Sequence, residues 1–139
     1  MYEDMIQKAF LRIYPADTIF ASEVGICVRK SILMRKYHTR KPIDAIIMEE
    51  GIAIHEAIQT YLLTNMKCQA EVPMEAEIEG VKISARADLI CERDGQVDLI
   101  ELKSSGYQAW EVRHYHAQQV ALYYHILTQK GMKIEFQSL

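Results

Sequence analysis

The sequence predicts an α/β fold in which a small central mixed sheet is flanked by helices. Three observations predict it. Apolar residues recur at helical spacing before residue 65 and again after residue 110. Between residues 69 and 103 the pattern changes to strand-like runs. Two of those runs are separated by Asp94-Gly95, a tight hairpin signal. With 139 residues, 50% of them hydrophobic, the chain can build one domain with a real core and not two. We take residues 1–139 as that domain, with an N-terminal helical segment 1–42 and a core 44–139.

Residues 3–14 carry Met5, Ile6, Ala9, Phe10 and Ile13 at helical spacing, and Pro15 bounds them. Ser22 can cap a second helix containing Ile26, Val28, Ile32 and Leu33, and Pro42 ends that region. Residues 44–64 predict a longer helix with Ile47, Ile54, Ile58, Tyr61 and Leu62 as its apolar stripe. Gly51 inside it costs about 1 kcal/mol against Ala and points to a close approach. Strands follow at 69–78, 81–91 and 97–103. A helix from Trp110 to Gln129 stops at Gly131, and 132–137 adds a last strand. Helices laid over a small sheet form a layered α/β arrangement.

The bulk numbers exclude several classes. No apolar run approaches the roughly 20 residues of a membrane span. The start MYEDMIQK lacks a basic and then apolar leader pattern. The net charge of -3 argues against a non-specific nucleic-acid coat protein but not against local phosphate contacts. Arg29, Lys30, Arg35, Lys36, Arg40 and Lys41, with His38 among them, form the one strongly basic block. It reads equally as a phosphate-binding surface or a solvated helix face. Cys27, Cys68 and Cys91 are widely spaced, so neither a zinc site nor a disulfide framework is expected, and the odd count favours a reducing, cytoplasmic setting.

The hairpin carries the sharpest inference. A two-residue turn at Asp94-Gly95 pairs 93 with 96, 91 with 98 and 88 with 101. Opposed residues share a sheet face about 5 Å apart, so Asp88 and Glu101 become neighbours. Lys103, two residues on, returns to that face, while Ala87, Leu89, Ile100 and Leu102 point the other way. Two adjacent carboxylates need compensation, and a hard divalent cation supplies it. A lysine beside such a cation suits attack of water on a phosphodiester. The same residues also fit surface pairs, Lys103 with Glu101 and Arg86 with Asp88. His55 is a candidate third ligand or a locally bonded helix histidine, and Glu49 and Glu56 are weaker candidates. Gln119 and Tyr123, four apart, share a helix face on which they could hold Lys103, water or a phosphate. Tyr107, Trp110, Tyr115 and Tyr124 could stack on bases or pack as rim aromatics.

Together these residues resemble the PD-(D/E)xK nuclease superfamily, with its restriction-endonuclease-like core. The branch they resemble most is the RecB-type domain, especially the CRISPR-associated RecB-like exonucleases. The resemblance runs from Ser22 to Tyr123 through Cys27-Val-Arg29-Lys30, Gly51-x-x-x-His55, Asp88, Glu101-Leu102-Lys103 and Gln119-x-x-x-Tyr123. It implies a metal site of His55, Asp88, Glu101 and the Leu102 carbonyl, holding Mg²⁺ or Mn²⁺. Lys103, Gln119 and Tyr123 would complete the catalytic group, and Arg29, Lys30 and Arg35 would guide DNA. The implied activity is hydrolysis of single-stranded or frayed DNA, as an exonuclease, in CRISPR adaptation or in recombination and repair. A homo-oligomer and proteins of those pathways are the implied partners, alongside DNA and no membrane. Val28 stands where that branch has proline, and Ala85 where it often has glycine. Relatives bind a [4Fe-4S] cluster through one early and three late cysteines. Cys27 alone matches, so no iron-sulfur cluster is expected in these 139 residues, and the C-terminal cluster-binding region is expected to be missing, either because the chain is truncated or because it is a cluster-free variant. The alternative is an inactive DNA-binding or scaffold protein that keeps the fold.

Overall fold

The computed structural model describes residues 14–37, 42–104 and 111–134, together with Met5; side chains are described from residue 47 in the second of these ranges. The element order is β1 (Thr18–Phe20), a 3-10 turn (Ala21–Glu23), α1 (Val28–Tyr37), α2 (Pro42–Asn65), β2 (Lys67–Ile78), β3 (Val81–Arg93), β4 (Gln96–Ile100) and α3 (His114–Gln129). The expected first helix lies outside the described residues, as do Tyr107, Trp110, His38, Arg40 and Lys41. Residues 132–134 are not strand, and the rest of the expected last strand lies outside the description.

The sheet is mixed. β2 runs antiparallel along almost the whole of β3, from Lys67 opposite Glu92 to Ile78 opposite Val81. The other edge of β3 is shared. β1 pairs with it in parallel at Lys82–Ser84, and β4 pairs antiparallel at Leu89–Arg93. Between those two neighbours, no strand among the described residues pairs with residues 85–88 of β3 on that edge. Asp88 sits at the end of this gap.

The core lies between the sheet and α3. Met74, Ala85, Ala87 and Ile90 pack with Tyr123, Ile126 and Leu127, with Ala21 and Ile134 closing the ends. Truncating a fully buried residue such as Ile126 to alanine costs about 2–5 kcal/mol. The cluster passes from Ala85 and Ala87 to Ile90, a step of three, while Leu89 and Cys91 are fully buried outside it. Simple alternation is therefore broken next to Asp88.

Two expectations are corrected here. In α2 the less exposed positions are Gly51, His55, Gln59 and Leu62, one helical stripe. Ile47, Ile54, Ile58 and Tyr61, expected to bury, are exposed. A polar stripe faces inward because it meets the carboxylates of the sheet. Second, Cys68 and Cys91 form a disulfide, with Cα atoms 4.0 Å apart. They lie on one rung of the β2–β3 ladder. A cross-strand pair is invisible to rules about cysteine spacing, since only register brings the two together. Cys27 is free and exposed.

Candidate active site

The site is built by the β3–β4 hairpin. Asp94 and Gly95 both have positive φ, 53° and 79°, the signature of a type I′ turn. That turn fixes Arg93 opposite Gln96 and Cys91 opposite Asp98, the register expected from the sequence. Regular pairing ends at Leu89 with Ile100. Glu101 is the next residue, facing Asp88 where the strands part.

The parting leaves backbone groups to be satisfied by side chains. The Leu102 N–H donates to Asp88 Oδ2 at 2.7 Å. Lys103 Nζ donates to Glu101 Oε1 at 2.5 Å. From α3, Gln119 Nε2 donates to the same Glu101 oxygen at 2.9 Å and to Tyr123 Oη at 2.5 Å. From α2, His55 Nδ1 stands 3.9 Å from Asp88 Oδ2. One turn earlier, a Cβ on Gly51 would lie 3.0 Å from Ser104 Oγ, so the glycine lets α2 approach the segment after Lys103.

The structure thus brings together His55, Asp88, Glu101, Leu102, Lys103, Gln119 and Tyr123. Gln119 holds Glu101 rather than Lys103, and Tyr123 accepts from Gln119. Glu49 and Glu56 are exposed on α2. Arg86 pairs with Glu71 at 3.1 Å and not with Asp88. Lys103 does pair with Glu101, but the Glu101 side chain is only 6% exposed, so this is no solvated surface pair.

The electrostatics are those of a carboxylate kept from water. Burial pushes the Glu101 carboxyl above its ordinary range, opposed by Lys103 and reinforced by the Asp88 charge. Burial and the Glu101 charge push the Tyr123 phenol up to about 12, so it stays protonated at neutral pH. Burial, Lys103 and Arg113 lower His116, in the first turn of α3.

One atom tests whether a cation fits. Glu101 Oε2 is buried without a hydrogen-bond partner. An unpartnered carboxylate oxygen costs about 1–3 kcal/mol, and a divalent ion would satisfy it. Among the described residues no three His, Cys, Asp or Glu side chains are gathered into a metal cluster. A cation here would draw on the Asp88 and Glu101 carboxylates, with the His55 imidazole 3.9 Å from Asp88 Oδ2. That donor set suits a hard or borderline cation.

The family comparison decides the affiliation: the model of the PD-(D/E)XK nuclease superfamily matches residues 27–136. The chain belongs to the PD-(D/E)XK nuclease superfamily. Its fold is also that of a solved structure, the crystal structure of SSO0001, with a TM-score of 0.74 and 21% identity over 90% of this chain. The chain spans 64% of the length of that solved chain. No curated protein matches it.

The basic helix behaves differently from its expectation at one position. Arg29 and Lys30 are exposed on α1, where with Cys27, Leu33, Met34 and Tyr37 they line a surface hollow of about 520 Å³. Arg35, expected to contact DNA, spends its guanidinium inside the protein. It donates to both Glu23 oxygens, at 2.5 and 2.9 Å, and to the carbonyls of Pro15, Thr18 and Ser31. It pins α1 to β1 and the 3-10 turn. Two residues at the site escaped sequence reasoning. Gln59 donates to Glu71 and to the Asp88 backbone carbonyl. The only signal for Gln59 was its place one turn after His55.

Proposed function

We propose that the chain is a Mg²⁺- or Mn²⁺-dependent deoxyribonuclease that hydrolyses phosphodiester bonds. The observation that carries this reading is the closeness of the Asp88 and Glu101 carboxylates past the end of the β3–β4 ladder, with Lys103 on Glu101 and one Glu101 oxygen left unpartnered. His55, Asp88, Glu101 and the Leu102 carbonyl are the residues that would hold the ion. When bound, it supplies charge for the phosphate oxygens and lowers the pKa of water. Lys103 orients the attacking water or takes its proton. Gln119 fixes Glu101, and Tyr123 accepts from Gln119 so that the amide keeps one orientation. Arg29 and Lys30 contact the DNA backbone, while Arg35 holds their helix in place.

The proposed substrate is single-stranded or end-containing DNA, attacked as by an exonuclease. Proposed settings are CRISPR adaptation or recombination and repair, in the cytoplasm, with a homo-oligomer supplying a DNA channel. The resemblance of the Gly51–His55 and Gln119–Tyr123 motifs to RecB-type nucleases supports these finer points. No described helix is long and apolar enough to cross a membrane.

A second reading is a DNA-binding protein that keeps the fold without turnover. The lack of a three-side-chain metal cluster among the described residues favours it. Cleavage of end-labelled single- and double-stranded DNA separates the two. With Mg²⁺ or Mn²⁺ the wild type should cut, and EDTA or Asp88→Ala should abolish cutting in a folded protein. DNA binding without cutting under any metal would establish the second reading.

A further inference from the structure

We propose that Gln59 is a positioning residue of this centre, fixing the Asp88 carboxylate by holding the Asp88 backbone carbonyl. The inference rests on the reading of Asp88 as a ligand, and it begins from a defect in the sheet. The β2–β3 register is continuous except at one rung, Glu71 and Asp88. Glu71 has φ +52°, a left-handed conformation that costs a non-glycine residue roughly 1–2 kcal/mol. A broken rung would leave polar backbone groups without ladder partners.

Gln59 fills that break. It is one of two buried polar residues among those described, 6% exposed. Its side-chain nitrogen donates to the Asp88 carbonyl at 3.2 Å and to Glu71 Oε1 at 2.8 Å. Both amide hydrogens are therefore committed. Glu71 Oε2 in turn forms an ion pair with Arg86 Nε at 3.1 Å. His55, one turn earlier, lies against the Asp88 carboxylate. Helix α2 thus reaches Asp88 twice, at its side chain and at its backbone. The backbone grip sets where the carboxylate can meet the Leu102 N–H. Gln59 touches neither substrate nor ion.

The test is hydrogen exchange at the Leu102 amide, followed by NMR on the full chain in EDTA. Gln59→Leu keeps the bulk and removes both donors. Gln59→Lys keeps donors to Glu71 and the Asp88 carbonyl. In Gln59→Leu, Leu102 protection should fall about tenfold, as for one lost hydrogen bond. The amides of Ile83 and Ala85, in the far half of β3, should hold. Gln59→Lys should restore Leu102. Unchanged Leu102 protection, or an equal loss at Ile83 and Ala85, overturns the proposal in favour of general destabilisation or no role. With Mn²⁺ and DNA, kcat should fall roughly 10- to 100-fold in Gln59→Leu at unchanged KM, as for a residue supporting a ligand. A fall in Tm with unchanged kcat also overturns it. If the wild type fails to cut while the exchange result stands, the nuclease reading fails and the Gln59 assignment survives.

Discussion

Replacing Glu101 by Gln should stabilise the protein without metal and destroy its stabilisation by metal. The Glu101 side chain is 6% exposed and its Oε2 has no partner. An unpartnered buried carboxylate oxygen costs about 1–3 kcal/mol. The amide oxygen of Gln would still accept from Lys103 and Gln119. What is lost is the charge in the Lys103 contact, about 0–1 kcal/mol for a lysine that is 38% exposed. The new amide nitrogen is itself unpartnered but neutral, which recovers part of the cost. The net is about 1 kcal/mol in favour of Gln, or roughly 3 °C in Tm for a chain this long. Metal reverses the order. At a hundred times its Kd a ligand stabilises by about 2.7 kcal/mol, so the wild type should gain roughly 8 °C and Glu101→Gln little. Thermal unfolding by circular dichroism in EDTA and in excess Mn²⁺ reads both differences. Equal Mn²⁺ shifts in the two proteins, or a Gln variant melting below wild type in EDTA, would refute the reasoning.

Other perturbations test separate parts of the account. Burial raises Glu23, but the bonds from Arg35 and the Phe20 N–H outweigh it, so its pKa is lowered in the fold. Its stabilisation is present above the ordinary glutamate range and lost as pH falls through the lowered value. The Tm gap between wild type and Glu23→Gln should therefore close in acid; a gap constant with pH would contradict the pairing. Reducing Cys68–Cys91, which closes a separation of 23 residues, should cost about 3 kcal/mol and lower the urea midpoint, as should replacing both by serine. An unchanged midpoint would mean the ladder alone fixes that end of the sheet. Arg29→Ala with Lys30→Ala should weaken DNA binding and reduce the salt slope by about 2. An unchanged slope would remove α1 from the DNA path.

The legible parts of the molecule were those fixed by local rules. Asp94-Gly95 dictates a turn, the turn dictates register, and register sets Asp88 against Glu101 before any tertiary contact is known. That Gln119 and Tyr123 share a helix face followed from helical spacing in the same way, although Gln119 binds Glu101 and Tyr123 binds Gln119. The illegible parts depend on what packs against what. β1 is three residues of parallel strand, too short to show a period. The apolar stripe of α2 misled because His55 and Gln59 face inward to meet Asp88. Nothing in the spacing of Cys68 and Cys91 announces a shared rung. The break at Glu71 is likewise tertiary. It becomes visible only once Gln59 is seen to take the Asp88 carbonyl.

Diffraction from crystals soaked in Mn²⁺, with data collected for anomalous scattering, tests the central claim most directly. The account predicts one strong anomalous peak within bonding distance of carboxylate oxygens from both Asp88 and Glu101, absent in Glu101→Gln crystals. A fully soaked crystal with no peak between those two side chains would contradict it.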